Sequence, residues 1–132
     1  MSAHTPGPWE LRLEKDGRVE GIYTTRPSPE DVEISGEFAG KIVETDGGIY
    51  PPKLPDARLI AAAPDLLEAC QTFAEWLRRE ETGFDHKTHN RETPEGEAAA
   101  CEWFYGNIEI CGLAQKQARA AIAKATGEES GN

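Results

Sequence analysis

The chain lacks a long apolar run. A spanning helix needs about 20 apolar residues in succession, and the mean hydropathy here is -0.60. It also lacks a leader: the opening Met1-Ser-Ala-His-Thr-Pro6 carries neither a basic nor a hydrophobic region, so no signal peptide is expected. Cysteine is scarce and odd in number. Cys70, Cys101 and Cys111 fall on expected helices, which suits a reducing cytosol better than a disulfide framework. The usual marks of catalysis are missing as well. Asp46-Gly-Gly48 has no following lysine and helix and is no phosphate loop. Asp85-His86-Lys-Thr-His89 lacks the i, i+4 register of a metalloprotease, and Cys-x-x-Cys does not occur, so no metal is expected. No carboxylate pair stands out as an acid–base dyad. The expectation is a protein that is not an enzyme and needs no cofactor.

Positive charge is the other shortage. The formal net charge is -10, and an acidic chain is repelled by nucleic-acid backbones and anionic lipid. DNA, RNA and membranes are therefore expected to be poor partners. Apolar residues make up 38%, below the usual share, which suits one domain with much exposed surface or an oligomer of thin protomers. By length the chain is one domain, taken as 1–127, with a tail over 128–132.

What is present divides in two. Residues 1–55 read as antiparallel sheet. In Trp9-Glu-Leu-Arg-Leu-Glu14 the apolar and charged side chains alternate, Lys15-Asp-Gly17 is a hairpin turn, and Arg18–Tyr23 returns. Pro27 and Pro29 mark a loop. Asp31–Ser35 and Phe38–Glu44 give a third and a fourth strand, so the expectation is a meander of about four strands, closed by Asp46-Gly-Gly48 and Pro51-Pro52. Residues 56–127 read as an antiparallel helical hairpin. Leu59, Ala63, Leu66, Cys70, Phe73 and Leu77 form one stripe of coiled-coil spacing. Cys101, Phe104, Ile108, Cys111, Gln115, Ala118, Ile122 and Ala125 form another. Asp56 is the expected N-cap of the first segment. Pro64 should kink the helix or restart it at a first-turn position. Residues 80–93 are a polar loop, Thr93-Pro94 starts the last helix, and Gly127 stops it. The fold class is thus α+β.

The last helix, some 45 Å long by its rise per residue, exceeds what a small sheet can cover. A homo-oligomer with that helix in the interface is therefore expected. Trp103-Phe104-Tyr105 covers about 200° of helix circumference, so Trp103 or Tyr105 should face a second surface while Phe104 joins the core. Gly106 and Gly112 are costly inside a helix and imply a close approach by another helix or a ligand. An anion would need gathered arginines in so acidic a chain, and Arg78, Arg79, Arg91, Arg119 and Arg26 are the candidates, with Asn107 able to read a base edge or ribose hydroxyl.

Three stretches carry a resemblance: His4-Thr-Pro-Gly-Pro-Trp9, Asp56-Ala-Arg-Leu-Ile-Ala-Ala-Ala-Pro-Asp-Leu-Leu-Glu68, and Ala118-Arg-Ala-Ala-Ile-Ala-Lys-Ala-Thr-Gly127. Together they resemble a widespread family of small phage and prophage proteins. The resemblance implies an accessory gene expressed in a bacterial cytoplasm, and such genes often counter host defence. The order of sheet, then two long helices, is similar to that of Thoeris anti-defence proteins, phage sponges that trap cyclic ADP-ribose signals. The similarity is one of architecture, and no binding residues carry over from it. The expected function is sequestration of a nucleotide-derived small molecule, with Arg119, Arg91, Trp103, Tyr105, Asn107 and Arg26 as ligand-binding candidates. The alternative is an acidic protein-binding inhibitor or regulator of a host enzyme.

Overall fold

The computed structural model describes residues 4–44 and 53–128. The turn expected at Asp46-Gly-Gly48, the prolines 51–52 and most of the tail lie outside them. The elements are β1 (Trp9–Leu13), β2 (Val19–Thr24), α1 (Pro29–Ser35), β3 (Lys41–Glu44), α2 (Leu54–Ala61), α3 (Ala63–Thr82) and α4 (Pro94–Thr126). This is the α+β order expected, an antiparallel sheet followed by helices. The chain divides into two compact units: one runs through Leu67 and resumes at Arg119, and the other spans Glu68–Ala118.

In the first unit the sheet has three strands in the order β1-β2-β3, not four. Asp31–Ser35 is helical. Its alternation is real, but Ser28 precedes Pro29, and the Ser28 hydroxyl accepts the Asp31 amide at 3.1 Å. Proline at the helix start and acids in the first turn complete an N-terminal signal that outweighs the alternation over so short a run. Phe38 lies in a 3-10 turn, Gly36–Phe38, so the last strand begins only at Lys41.

The hairpin turns at Gly17, φ 89°. Trp9 and Leu11 pack on the core as the alternation requires, but a register shift between Arg12 and Leu13 turns Leu13 off that face. The core holds Val19 and Ile22 of β2 against Ala57 and Ala61 of α2, with Ile42, Val43 and Leu54 around them. Tyr23 is fully buried beneath the Arg12 guanidinium, 3.7 Å from its ring centre. Lys53, not Asp56, is the N-cap residue of α2. Pro55 occupies a first-turn position, so the helix starts earlier and Asp56 falls within the first turn.

α3 begins at Ala63, so Pro64 sits in its first turn, where the missing amide costs nothing. Thr93 caps α4, its hydroxyl accepting the Gly96 amide at 3.0 Å. Gly127, φ 76°, follows the helix end. Lys124 and Asp65 form an ion pair of 2.8 Å within the first unit.

In the second unit α3 and α4 pack antiparallel. Glu68 meets Gln117 at one end, and Arg79 and Glu80 meet Asn107 toward the other. The packed residues are not those of the expected stripes. Along α4 the buried line is Ala100, Asn107 and Ala114, an unbroken heptad spacing, with Trp103, Ile110 and Gln117 beside it. On α3 it is Ala69 with Thr72, Trp76 and Arg79. The expected positions Phe73, Leu77, Phe104 and Ile108 are exposed. Alanine lets two helices approach closely, and the larger apolar side chains are left on the flank.

Gly40, just before β3 in the first unit, is tightly enclosed. Its φ is 78°, its amide donates to Asp31 Oδ2, and an added Cβ would lie 2.5 Å from Thr24 Cγ2. Gly40→Ala combines left-handed strain with overpacking, and should destabilise the protein by about 1–3 kcal/mol. Urea unfolding of the variant checks this; an unchanged midpoint would refute it.

Candidate functional site

The second unit carries a cavity of about 600 Å³ at the loop end of its helical hairpin, lined by Arg79, Phe84, Asp85, His89, Glu102 and Trp103 among others. Its formation begins at Gly83, φ 72°, which reverses the chain after α3 and returns Phe84 toward α4. There Phe84 meets Trp103 edge-on, ring centres 6.2 Å apart. His89 stacks on Phe84 at 5.8 Å and 29°, and His86 approaches edge-on at 5.0 Å. Trp103 in turn meets Phe104 at 4.9 Å. Residues 85–93 are exposed, as a polar loop requires, and Phe84 at the start of that loop gathers the rings of His86, His89 and Trp103 around it.

The polar side is held by α3 and α4 together. Arg79 donates from Nε to Asn107 Oδ1 and from Nη2 to the Trp103 carbonyl at 3.4 Å. Asn107 donates to Glu80 Oε1 at 2.6 Å. Gly106 makes room for this: a Cβ there would lie 3.0 Å from Arg79 Nη2. The close approach expected at Gly106 is thus that of an arginine. Asp85 orders the loop, Oδ1 accepting the amides of Lys87 and Thr88 at 3.1 Å each. Hydrogen bonding from the Thr88 side chain and then its amide holds the Asp85 carboxyl below its ordinary range, against a smaller opposing effect of desolvation. Among the described residues no group of three or more His, Cys, Asp and Glu side chains could hold a metal ion.

The sequence candidates scatter. Trp103 lines the cavity. Asn107 is 4% exposed and committed to Arg79 and Glu80. Tyr105, 67% exposed, points outward. Arg91 pairs with Glu97 at 3.5 Å and lies 5.8 Å from the Phe104 ring centre. Arg26 and Arg119 are exposed residues of the other unit. Sequence reasoning missed Phe84, His89 and Glu102 as lining residues. The available signal was a lone phenylalanine directly after a glycine in an otherwise polar segment.

The cavity thus joins aromatic walls with one arginine and two carboxylates. Comparison with known proteins adds the lineage. The family described as Salmonella phage P22 protein Y8K6 matches residues 1–129, and the chain belongs to that phage protein family. No curated protein and no solved structure matches the chain. Among the described residues no helix is long and apolar enough to cross a membrane.

Two outcomes follow from the polar set. Asn107→Ala removes the partner of two charged groups, and should cost about 1–3 kcal/mol, read by urea unfolding. Because the Asp85 pKa is depressed in the folded chain, its stabilising effect is complete above the unfolded carboxyl value and is lost as pH falls through the folded one. The Lys87 and Thr88 amide shifts, followed by NMR, should stay constant from neutral to mildly acid pH and move only below the ordinary carboxylate range.

Proposed function

We propose that this phage-family protein is a non-catalytic counter-defence protein of the bacterial cytoplasm that sequesters a nucleotide-derived signal of the cyclic nucleotide or cyclic ADP-ribose type. The observation that carries the reading is the cavity walled by Trp103, Phe84 and His89, with Arg79 at its edge. A base needs an aromatic face, worth about 1–3 kcal/mol per stack. Arg79 has Nε and Nη2 engaged within the chain, which leaves Nη1 for a phosphate oxygen. Asp85 and Glu102 accept hydrogen bonds from ribose hydroxyls or from an exocyclic amino group. Two carboxylates beside one arginine disfavour a triphosphate and favour a ligand of dispersed, low charge. The order of sheet and two long helices, similar to that of Thoeris anti-defence proteins, supports the same reading. An alternative is an inhibitor or regulator of a host enzyme, favoured by the exposed side chains of Phe73, Phe104 and Ile108.

The test is thermal unfolding against cyclic dinucleotides and cyclic ADP-ribose isomers. A ligand at a hundred times its Kd stabilises by about 2.7 kcal/mol and should raise Tm by several degrees. Phe84→Ala and His89→Ala, both in the loop, should weaken binding roughly tenfold or more, whereas Tyr105→Ala should leave it unchanged. If no compound in the panel shifts Tm, or if the loop variants bind as the parent does, the reading fails.

A further inference from the structure

The flank of the hairpin opposite the cavity is a largely exposed apolar face, with Arg91, paired to Glu97, reaching over the Phe104 ring at one end. Cys70, Phe73 and Leu77 run along α3, and Cys101, Phe104 and Ile108 along α4, at the 3- and 4-residue spacings of interlocking helices. Phe73 is 50% exposed, Phe104 45% and Ile108 67%. Between the helices lies a groove of about 440 Å³, bordered by Trp76, Cys111, Gly112 and Gln115 with Phe104 and Ile108.

We propose that this face binds a second copy of the chain, so that two hairpins make a four-helix bundle. Size is the first argument. The face extends about 22 Å along α4 by the helical rise and about 20 Å across two helices. An apolar patch of about 440 Å² has the size of the largest patch on a typical monomer, which is often functional, and supplies about half of one partner's share of a standard interface. Charge is the second. The chain carries a net charge of -10, yet among the described residues lining the groove Glu80 is the charged one, and its carboxylate already accepts from Asn107. A surface made for a basic partner would present carboxylates. Two acidic copies can meet only where charge is withheld, and homodimer interfaces are the more apolar kind. Gly112 is the third. A Cβ added there meets nothing within 4 Å among the described residues, so none of them explains a glycine inside α4, where it costs about 1 kcal/mol relative to alanine. A second helix crossing at that point does explain it. The groove then receives a large side chain from the other copy, and the free thiols of Cys70, Cys101 and Cys111 become interface groups.

Sedimentation of the full chain tests this, with thiol–disulfide exchange between the cysteines and a chromogenic disulfide, which releases a coloured thiolate, as a second readout. The parent should sediment as a dimer with slowly reacting thiols. Ile108→Glu should sediment as a folded monomer, judged by circular dichroism, with thiols reacting at least tenfold faster. Leu113→Glu, at an exposed position on another side of α4, should remain dimeric. A parent that stays monomeric at the highest attainable concentration overturns the proposal. So does a dimer that survives Ile108→Glu, and so does a monomeric parent that captures a foreign protein through this face. Ligand binding by the cavity is measured separately, so either idea can fail without the other.

Discussion

Short side chains along the hairpin seam set the terms for the rest of the second unit. Ala69, Ala100 and Ala114 are buried along α3 and α4, with Trp76, Trp103 and Ile110 half-buried beside them. In line with them lies a polar residue, Asn107, held by Arg79 on one side and Glu80 on the other. A buried amide with both ends satisfied fixes register better than apolar contact does, because a slip of one turn would strand three polar groups at once. The same bond set draws the Arg79 guanidinium across Gly106 to the Trp103 carbonyl. The edge of the cavity is therefore a by-product of how the hairpin is locked.

The first unit is governed by a different limit. Its sheet has few strands, and its core is thin, with alanines of α2 opposite Val19 and Ile22. Tyr23 is fully buried with the Arg12 guanidinium stacked over its ring. Thr24, also buried, donates its hydroxyl to the Pro6 carbonyl, and the Trp9 indole N–H donates to the Thr5 carbonyl at 3.2 Å. The prolines and tryptophan of the opening segment thus serve as a clasp on the sheet edge. Here the residues of the opening motif have a structural use that does not depend on any ligand.

The fold class was legible because its strongest signals are local. Strand alternation, a hairpin glycine at Gly17, a proline at a helix start and a glycine past a helix end each depend on a few neighbouring residues. The errors arose where two local signals competed or where the pattern was true but its partner was elsewhere. At Asp31–Ser35 alternation competed with the Ser28-Pro29 start, and the cap prevailed. On α3 and α4 the apolar stripes exist, but hydrophobicity marks a face without saying what covers it. The seam itself is nearly silent in sequence, since alanine, asparagine and threonine weigh little in an apolar pattern. The cavity was only partly legible for the same reason. Trp103 stood out by type, whereas Phe84 and His89 acquire meaning only once Gly83 turns the loop back.

The two flanks of the hairpin divide its chemistry. One presents rings interleaved with an arginine and carboxylates. The other presents thiols and large apolar groups. A single helix, α4, supplies both, because its 3.6-residue period sends Trp103 and Phe104, adjacent in sequence, to different sides. That also explains the run of three aromatics. Trp103 faces the cavity, Phe104 borders the apolar groove, and Tyr105 stands outside both. The run is one surface in sequence and three in space, and the assignment of each ring depends on the register that Asn107 enforces.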